Sequence, residues 1–329
     1  MPNLQLSYAG HLSDRVQDMY YGVVRPEGID LHFIALPPVE AFNRMLRNEF
    51  HCGEMSFSTY VIRLARGDLP FVAIPVFPAR TFRHGAIYVN TRAGIAGPRD
   101  LIGRRVGVPE YQMTAAVWVR GLLRHEYDVR PEDLHWITGG LAMPGRKPLV
   151  DVAVPGIRVE YVEDSTLFDM LLSGGIDALI APQVPPAIRE GRREVGYLFP
   201  NFPEVERAYF RKTGIFPIMH VVVMQKDVYA QQPWIAASLT RAFEIAKDNC
   251  FSRLDAQEPL PVSIPWSHCL ADDVRGLMGR DFWPYGVEKN RKTIEALCSY
   301  AFEQGLVPRP VSADELFASH AIALDRNKL

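Results

Sequence analysis

The sequence of 329 residues lacks the marks of several large protein classes. Its four cysteines, Cys52, Cys250, Cys269 and Cys298, are scattered, with no CxxC pair and no histidine at ligand spacing. That pattern argues against a zinc site and against a disulfide framework. No apolar run approaches the ~20 residues needed to cross a bilayer; the longest, 71–77 and 221–224, read as buried strands. The opening MPNLQLSYAG carries no Lys or Arg and no secretory apolar core, so a soluble, reduced, cytoplasmic protein is expected. Neither sign of charge is in excess: 36 Lys and Arg against 38 Asp and Glu leave −2. So even a balance offers no electrostatic footprint for nucleic acid or an anionic membrane. GxGxxG, GxxxxGK[ST], GxSxG and HExxH are all missing, and the nine histidines are dispersed. No metal and no cofactor are therefore expected.

What is present is a chain rich in core-forming residues: 48% hydrophobic and 22% charged, which excludes disorder. At this length a single core stops growing, so two domains are expected. Residues 4–9 alternate apolar and polar side chains as a strand does, 13–21 read as a helix stopped by Gly22, and 29–36 read as a strand ended by Pro37-Pro38. A helix over 39–48, a strand over 53–57, a helix over 58–67 and a strand over 71–76 follow. This alternation predicts a mainly parallel sheet covered by helices. A second α/β unit starts near residue 86. It has strands at 105–109, 135–138, 158–162 and 177–181 and helices at 114–127 and 165–173, the latter with Ser165 as N-cap. The Gly- and Pro-rich stretch 139–155 is long enough to be a functional loop. A strand at 220–224 and helices at 234–249 and 287–304 close the chain, and a capping box at Ser312–Glu315 starts a last helix.

Five phrases read together resemble one family: RPEGIDL (25–31), GEMSFSTYVIRLARGD (53–68), FVAIPVFPARTFRH (71–84), DLIGRRVGVPEYQMTAAVWVRG (100–121) and DFWPYGVEKNRKTIEAL (281–297). They resemble the 4,5-dihydroxyphthalate decarboxylase family, over nearly the whole chain from about Leu4 to about Phe317, with PEYQMTAAVW the most specific piece. The resemblance implies an α/β, two-lobed, type II periplasmic-binding-protein-like fold with the ligand in the cleft between lobes. It implies a discontinuous first lobe of residues 1–84 and 219–329, with 85–218 as the second. It also implies decarboxylation of a small aromatic dicarboxylate. The chain departs from the family at the first turn, where Gly10-His-Leu-Ser-Asp14-Arg15 replaces an acidic–aromatic–acidic–Arg phrase. Asp14 and Arg15 survive, and the identity of the aromatic acid stays open.

Ligands of open α/β lobes gather at the carboxyl ends of strands and at helix N-termini, and that rule selects four places. Pro109-Glu110-Tyr111-Gln112-Met113-Thr114 lies between a strand and a helix, where free N–H groups favour an anion; an ordinary capped helix is the alternative. Arg80-Thr-Phe-Arg83-His84 places two guanidinium groups and an imidazole after a buried strand, suiting a dicarboxylate. In an extended segment Arg80 and Arg83 point opposite ways, and Arg80 is favoured for the cleft; a solvated crossover is the alternative. Ser56 or Ser58 stands at a strand-to-helix junction, one of them as a ligand and the other as a cap. Asp14-Arg15 begins a helix, as a site or as a local ion pair. His220 is a second acid–base candidate, read otherwise as a core histidine. Trp118, Trp283 and Tyr285 read as packing between lobes.

The chemistry implied needs no cofactor. A hydroxyl para to the departing carboxylate feeds electrons into the ring, the ipso carbon takes a proton, and carbon dioxide leaves as aromaticity returns. His84 is expected as the proton donor, since an ordinary imidazole titrates near ~6.5. Glu110 is expected as base or phenol acceptor, and Arg80, helped by Arg83 or Arg15, as the carboxylate clamp. Thr114 and Tyr111 complete the anion pocket. The rival reading is a non-catalytic solute-binding protein for an aromatic carboxylate. The C-terminal helices offer surface enough for a homodimer.

Overall fold

The structure, a computed structural model, describes residues 2–150, 153–256, 258 and 260–321. Its strands are β1 (Leu4–Gly10), β2 (Ile29–Ala35), β3 (Cys52–Ser56), β4 (Phe71–Arg80), β5 (Ile87–Asn90), β6 (Arg105–Val108), β7 (His135–Gly139), β8 (Val159–Val162), β9 (Ala178–Ile180), β10 (Val195–Tyr197) and β11 (Ile218–Gln225). They form two sheets, ordered β2-β1-β3-β11-β4 and β10-β5-β9-β6-β7-β8. The first sheet takes strands from 4–80 and 218–225, and the second from 87–197. The chain thus passes between them once after Arg80 and once after Thr213.

The first sheet is mixed where a mainly parallel one was expected. β1, β2 and β3 are parallel, but β11 lies between β3 and β4 and runs antiparallel to both. A strand returning from far along the sequence takes the place that local alternation assigns to β4. Helices Pro38–Leu46 and Phe57–Arg66 follow β2 and β3, the second stopped by Gly67 at φ 75°, a left-handed cap that favours glycine.

Other expectations shift in detail. The helix over 13–21 shrinks to Gln17–Tyr20. The helix expected from Ser165 begins at Leu167 under Thr166, whose Oγ1 accepts from the Asp169 N–H at 3.1 Å. The helix from Trp234 runs on to Leu254, and Glu288–Asn290 is a 3-10 turn ahead of the helix Arg291–Glu303. At the capping box Ser312 the chain forms only a 3-10 turn, Ala313–Glu315, with the Ser312 N–H donating to Glu315 Oε1 at 2.9 Å. Residues 151 and 152 of the 139–155 loop, and 322–329 of the first lobe, lie outside the described residues.

The helix Thr114–Tyr127 joins the two halves. Trp118 Nε1 donates to the Ile218 carbonyl at 2.9 Å, and Gln304 Nε2 to the Val117 carbonyl at 2.9 Å. The Tyr300 ring fills the space beside Gly121 so closely that a Cβ there would stand 2.1 Å from it. Trp118 therefore packs between the halves as expected. Trp283, by contrast, donates to the Phe77 carbonyl within the first, and Tyr285 is buried there.

Candidate active site

A cavity of about 770 Å³ opens between the two sheets. Its wall on the first side comes from His11 after β1, Pro38 and Phe42 after β2, Ser56 at the end of β3, and His220 at the start of β11. The facing wall comes from Glu110, Met113, Thr114 and Ala115 after β6, the 140–149 loop after β7, and Pro182 and Gln183 after β9. Thr81, Arg83 and Met219 line it where the chain crosses. The carboxyl ends of the parallel strands supply most of these positions, as open α/β sheets require.

His220 is aimed by an irregularity in β11, whose register against β4 shifts on both sides of it while it pairs with Ser56 of β3 and Ala79 of β4. Its ring stands edge-on to Phe42, with centroids 4.8 Å apart. Nδ1 lies 3.1 Å from Oε2 of Glu54, which is 1% exposed, and Glu54 Oε1 accepts the His11 N–H at 2.9 Å. Against a carboxylate, which can only accept, the matching arrangement is Nδ1 as the donor, with Nε2 the nitrogen left for the cleft.

Three buried arginines donate only to neutral acceptors among the described residues, and burial lowers the pKa of each: Arg80 to about 9, Arg83 to about 10 and Arg120 to about 10. Their partners differ. Arg80 donates to the carbonyls of Phe216 and Pro284 and to Asn290 Oδ1, and it does not line the cleft. Arg120 donates to the Tyr111 carbonyl and to Gln304 Oε1, and it lies 3.8 Å over the Tyr111 ring. Arg83 lines the cleft and rests on the Met219 thioether, Nε to Sδ 3.2 Å, a weak acceptor. Among the described residues it has no carboxylate within ion-pair distance. The arginine expected to clamp a carboxylate, Arg80, thus has its two terminal nitrogens taken up away from the cleft, and the one that faces the cleft is Arg83.

Across the cleft from this cation, two helix N-termini meet. Ser56 precedes helix Phe57–Arg66, and its Oγ lies 2.9 Å from Oγ1 of Thr114, the first residue of helix Thr114–Tyr127. Thr114 Oγ1 also accepts the Ser58 N–H at 3.1 Å, and Ser58 Oγ donates to the Gln112 carbonyl at 2.6 Å. Ser58 is fully consumed within this cluster, while Ser56 and Thr114 line the cavity. Two positive helix ends, one from each side of the cleft, meet here and favour an anion.

Glu110 lines the cleft but is fully engaged. Its carboxylate takes Arg146 Nε at 2.8 Å, the Leu149 N–H at 2.9 Å and Gln112 Nε2 at 2.7 Å, pinning the 140–149 loop. It is a structural anchor in this geometry, not the free base expected. Gln112 is buried as its partner, and Tyr111 is buried behind the cleft with no hydrogen-bond partner for its hydroxyl. His84 also departs from expectation: it is 1% exposed, ringed by Tyr127, Phe199 and Tyr209, and absent from the cavity wall. Burial lowers its pKa to about 4, so it is uncharged at neutral pH and ill-suited as an acid. Asp14 and Arg15 form a local ion pair at 2.6 Å away from the cleft, with Arg15 over the Trp283 ring. Glu54, His11 and Arg146 are the cleft groups that sequence reasoning missed. Glu54 stands inside the matched phrase GEMSFS, and His11 inside the turn that departs from the family. Among the described residues no three His, Cys, Asp or Glu side chains are grouped to hold a metal ion, and no helix is long and apolar enough to cross a membrane.

Two mixed α/β halves around an interlobe cleft define the class of periplasmic-binding-protein-like folds, and solved structures agree. The periplasmic aliphatic sulphonate binding protein SsuA of Escherichia coli superposes with a TM-score of 0.56 at 11% identity, over 97% of this chain and 99% of that one. The periplasmic sulfonate-binding protein SsuA of Methylobacillus flagellatus gives 0.57 at 13%, over 99% and 95%. At such identities the likeness shows the fold alone. No protein-family model matches the chain. Sequence relatives go further: a 4,5-dihydroxyphthalate decarboxylase of Comamonas testosteroni is 36% identical over 332 aligned positions covering 100% of both chains. One of Pseudomonas putida is 39% identical over 202, covering 60% of this chain and 78% of its own. The chain belongs to the 4,5-dihydroxyphthalate decarboxylase family, and with it to the carboxy-lyases.

Proposed function

We propose that the chain decarboxylates 4,5-dihydroxyphthalate, or a closely related hydroxylated aromatic acid, to 3,4-dihydroxybenzoate and carbon dioxide without a cofactor, in the cytoplasmic breakdown of phthalates. The observation that carries this reading is the pairing, in one cleft, of a buried arginine with no carboxylate within ion-pair distance among the described residues and a histidine whose Nδ1 is held by Glu54. A cavity of about 770 Å³ is of the size that binds single small ligands.

In this reading Arg83 clamps one carboxylate, its weak thioether partner giving way to a charge-assisted hydrogen bond. Ser56 and Thr114 receive the other at the paired helix ends. The proton donor is His220, in place of His84. In its doubly protonated form, with Nδ1–H on Glu54, its Nε2–H delivers a proton to the ipso carbon while the para oxygen feeds electrons into the ring. The carbon–carboxylate bond then breaks, its electron pair restores the aromatic ring, and carbon dioxide departs. One proton is consumed from His220 and regained from solvent, so the step balances. The lobes, 1–84 with 219–329 and 85–218, act here as the two jaws of the cleft.

Turnover of 4,5-dihydroxyphthalate, followed with and without a chelator, tests the reading. Product formed equally in both supports the cofactor-free reaction, and loss on chelation overturns that part. Tight binding with no product favours a solute-binding role. His220→Ala is expected to lower kcat by about 10²–10⁴-fold, the usual worth of a positioned acid. Undiminished turnover in that variant removes His220 from the chemistry.

A further inference from the structure

We propose that Glu54 is the positioning residue of this reaction, a buried carboxylate that holds the His220 proton on Nδ1, so that Nε2 is free to take up a second proton from solvent and deliver it to the substrate. The inference rests on the reading of His220 as proton donor and adds what makes that donor competent. Glu54 lies on β3, the strand paired with β11, and its two oxygens are divided between two elements of the cleft wall. Oε1 accepts the His11 N–H of the turn after β1, and Oε2 meets His220 Nδ1. One side chain therefore fixes both the turn and the ring. A ring held only by packing could flip and present either nitrogen.

The surroundings show that the carboxylate is held in place. A Cβ on Gly10 would stand 2.7 Å from the Tyr8 hydroxyl and 2.9 Å from Glu54 Oε1, so glycine is required for strand β1 to end against this carboxylate. Tyr8 and Tyr285, buried below, carry hydroxyls without a hydrogen-bond partner. Burial, and after it the charge of Glu54, pushes the Tyr8 phenol well above its ordinary pKa, so it stays protonated. Glu54 thus faces neutral phenols on one side and, on the other, the His220 ring that reaches the cleft.

Glutamine at position 54 keeps the shape and breaks the logic. Both present partners are donors, and the amide has one accepting oxygen. If that oxygen keeps the His11 N–H, the amide nitrogen turns to His220 and forces Nδ1 to accept. The ring is then locked as the wrong neutral tautomer and cannot carry a second proton without losing the contact.

Glu54→Gln is expected to lower kcat by about 10²-fold while the dissociation constant of 3,4-dihydroxybenzoate, the product, moves less than about threefold. In the His220→Ala background the same change should cost nothing further, because a residue that acts through His220 has no effect once the ring is gone. Full kcat in Glu54→Gln, or a loss that multiplies with that of His220→Ala, overturns the proposal and leaves the His220 reading standing. Full turnover in His220→Ala overturns the His220 reading itself. Nitrogen-15 NMR of the histidine rings of the unmodified protein, with His220→Ala to assign the signal, gives a check that needs no folded Glu54 variant. His220 as the Nδ1–H tautomer supports the proposal, and the Nε2–H tautomer sinks it.

Discussion

Glu54 and Glu110 are buried to the same degree, at 1% and 2% exposure, and stand against the same cleft from opposite lobes. Each accepts a backbone N–H, from His11 and from Leu149 respectively. What separates them is the remaining partner. Glu110 faces Arg146, a permanent cation, and Gln112, so every strong contact is spent on holding the 140–149 loop. Glu54 faces His220, whose charge can come and go. A buried carboxylate against a guanidinium is a fastener, whereas one against an imidazole governs a proton. The same contrast divides the arginines: the terminal nitrogens of Arg80 are taken up by two carbonyls and an amide away from the cleft, and Arg83, which lines the cleft, is left with a thioether. Groups that the fold leaves incompletely partnered are the ones a substrate can complete.

The sharpest way to break this division is Arg83→Met. If Arg83 is held for a ligand, kcat/KM should fall about 10²-fold, the worth of a bidentate carboxylate contact. Thermal stability should hold or rise, because a desolvated cation has been replaced by an apolar chain. Steady-state kinetics and a melting curve on one preparation read both outcomes. A variant that unfolds while its KM stays unchanged would place Arg83 with the fasteners.

Glu110→Gln probes the other side with a smaller effect. The ion pair to Arg146 is lost while volume is kept, which should lower stability by about 2 kcal/mol in a denaturant titration. Because Arg146 is partly exposed it can turn to water, so the cost stays below that of stranding a fully buried charge. The pH dependence of kcat should keep its shape, since Glu110 moves no proton. A changed profile would restore it to the chemistry.

Much of this architecture was legible in the residues. Alternation marked β1 and short apolar runs most of the other strands, and the phrases of 53–68 and 100–121 pointed to the family and to the helix ends that meet at Ser56 and Thr114. Choices between neighbours were not legible. Arg80 and Arg83 are three residues apart with the same chemistry, and only the placement of Pro284 and Asn290, some 200 positions later, decides which is consumed. Likewise β11 enters between β3 and β4 from across the chain, which no local pattern announces. Glu54 stood in the matched phrase, but its role needs His220 beside it, and that pairing exists only once the return strand is in place.

His84 gives the smallest effect at neutral pH and the clearest dependence on acid. Its imidazole is buried among aromatic rings, Nδ1 has no partner, and the pKa is lowered to about 4 from an ordinary value near ~6.5. A proton therefore binds the unfolded chain more readily than the folded one. Stability from this residue is complete above pH ~6.5 and is lost progressively as pH falls toward 4. By pH 5 the loss should reach about 2 kcal/mol. His84→Leu keeps the apolar contacts, removes the titration and should flatten that part of the acid limb in denaturant melts between pH 7.5 and 5. Because His84 does not line the cleft, turnover at pH 7.5 should stay within about twofold of the unmodified enzyme. A folded His84→Leu protein without turnover would return the acid to His84, and it would mean that the cleft of the working enzyme reaches past Arg83 into the aromatic ring cluster.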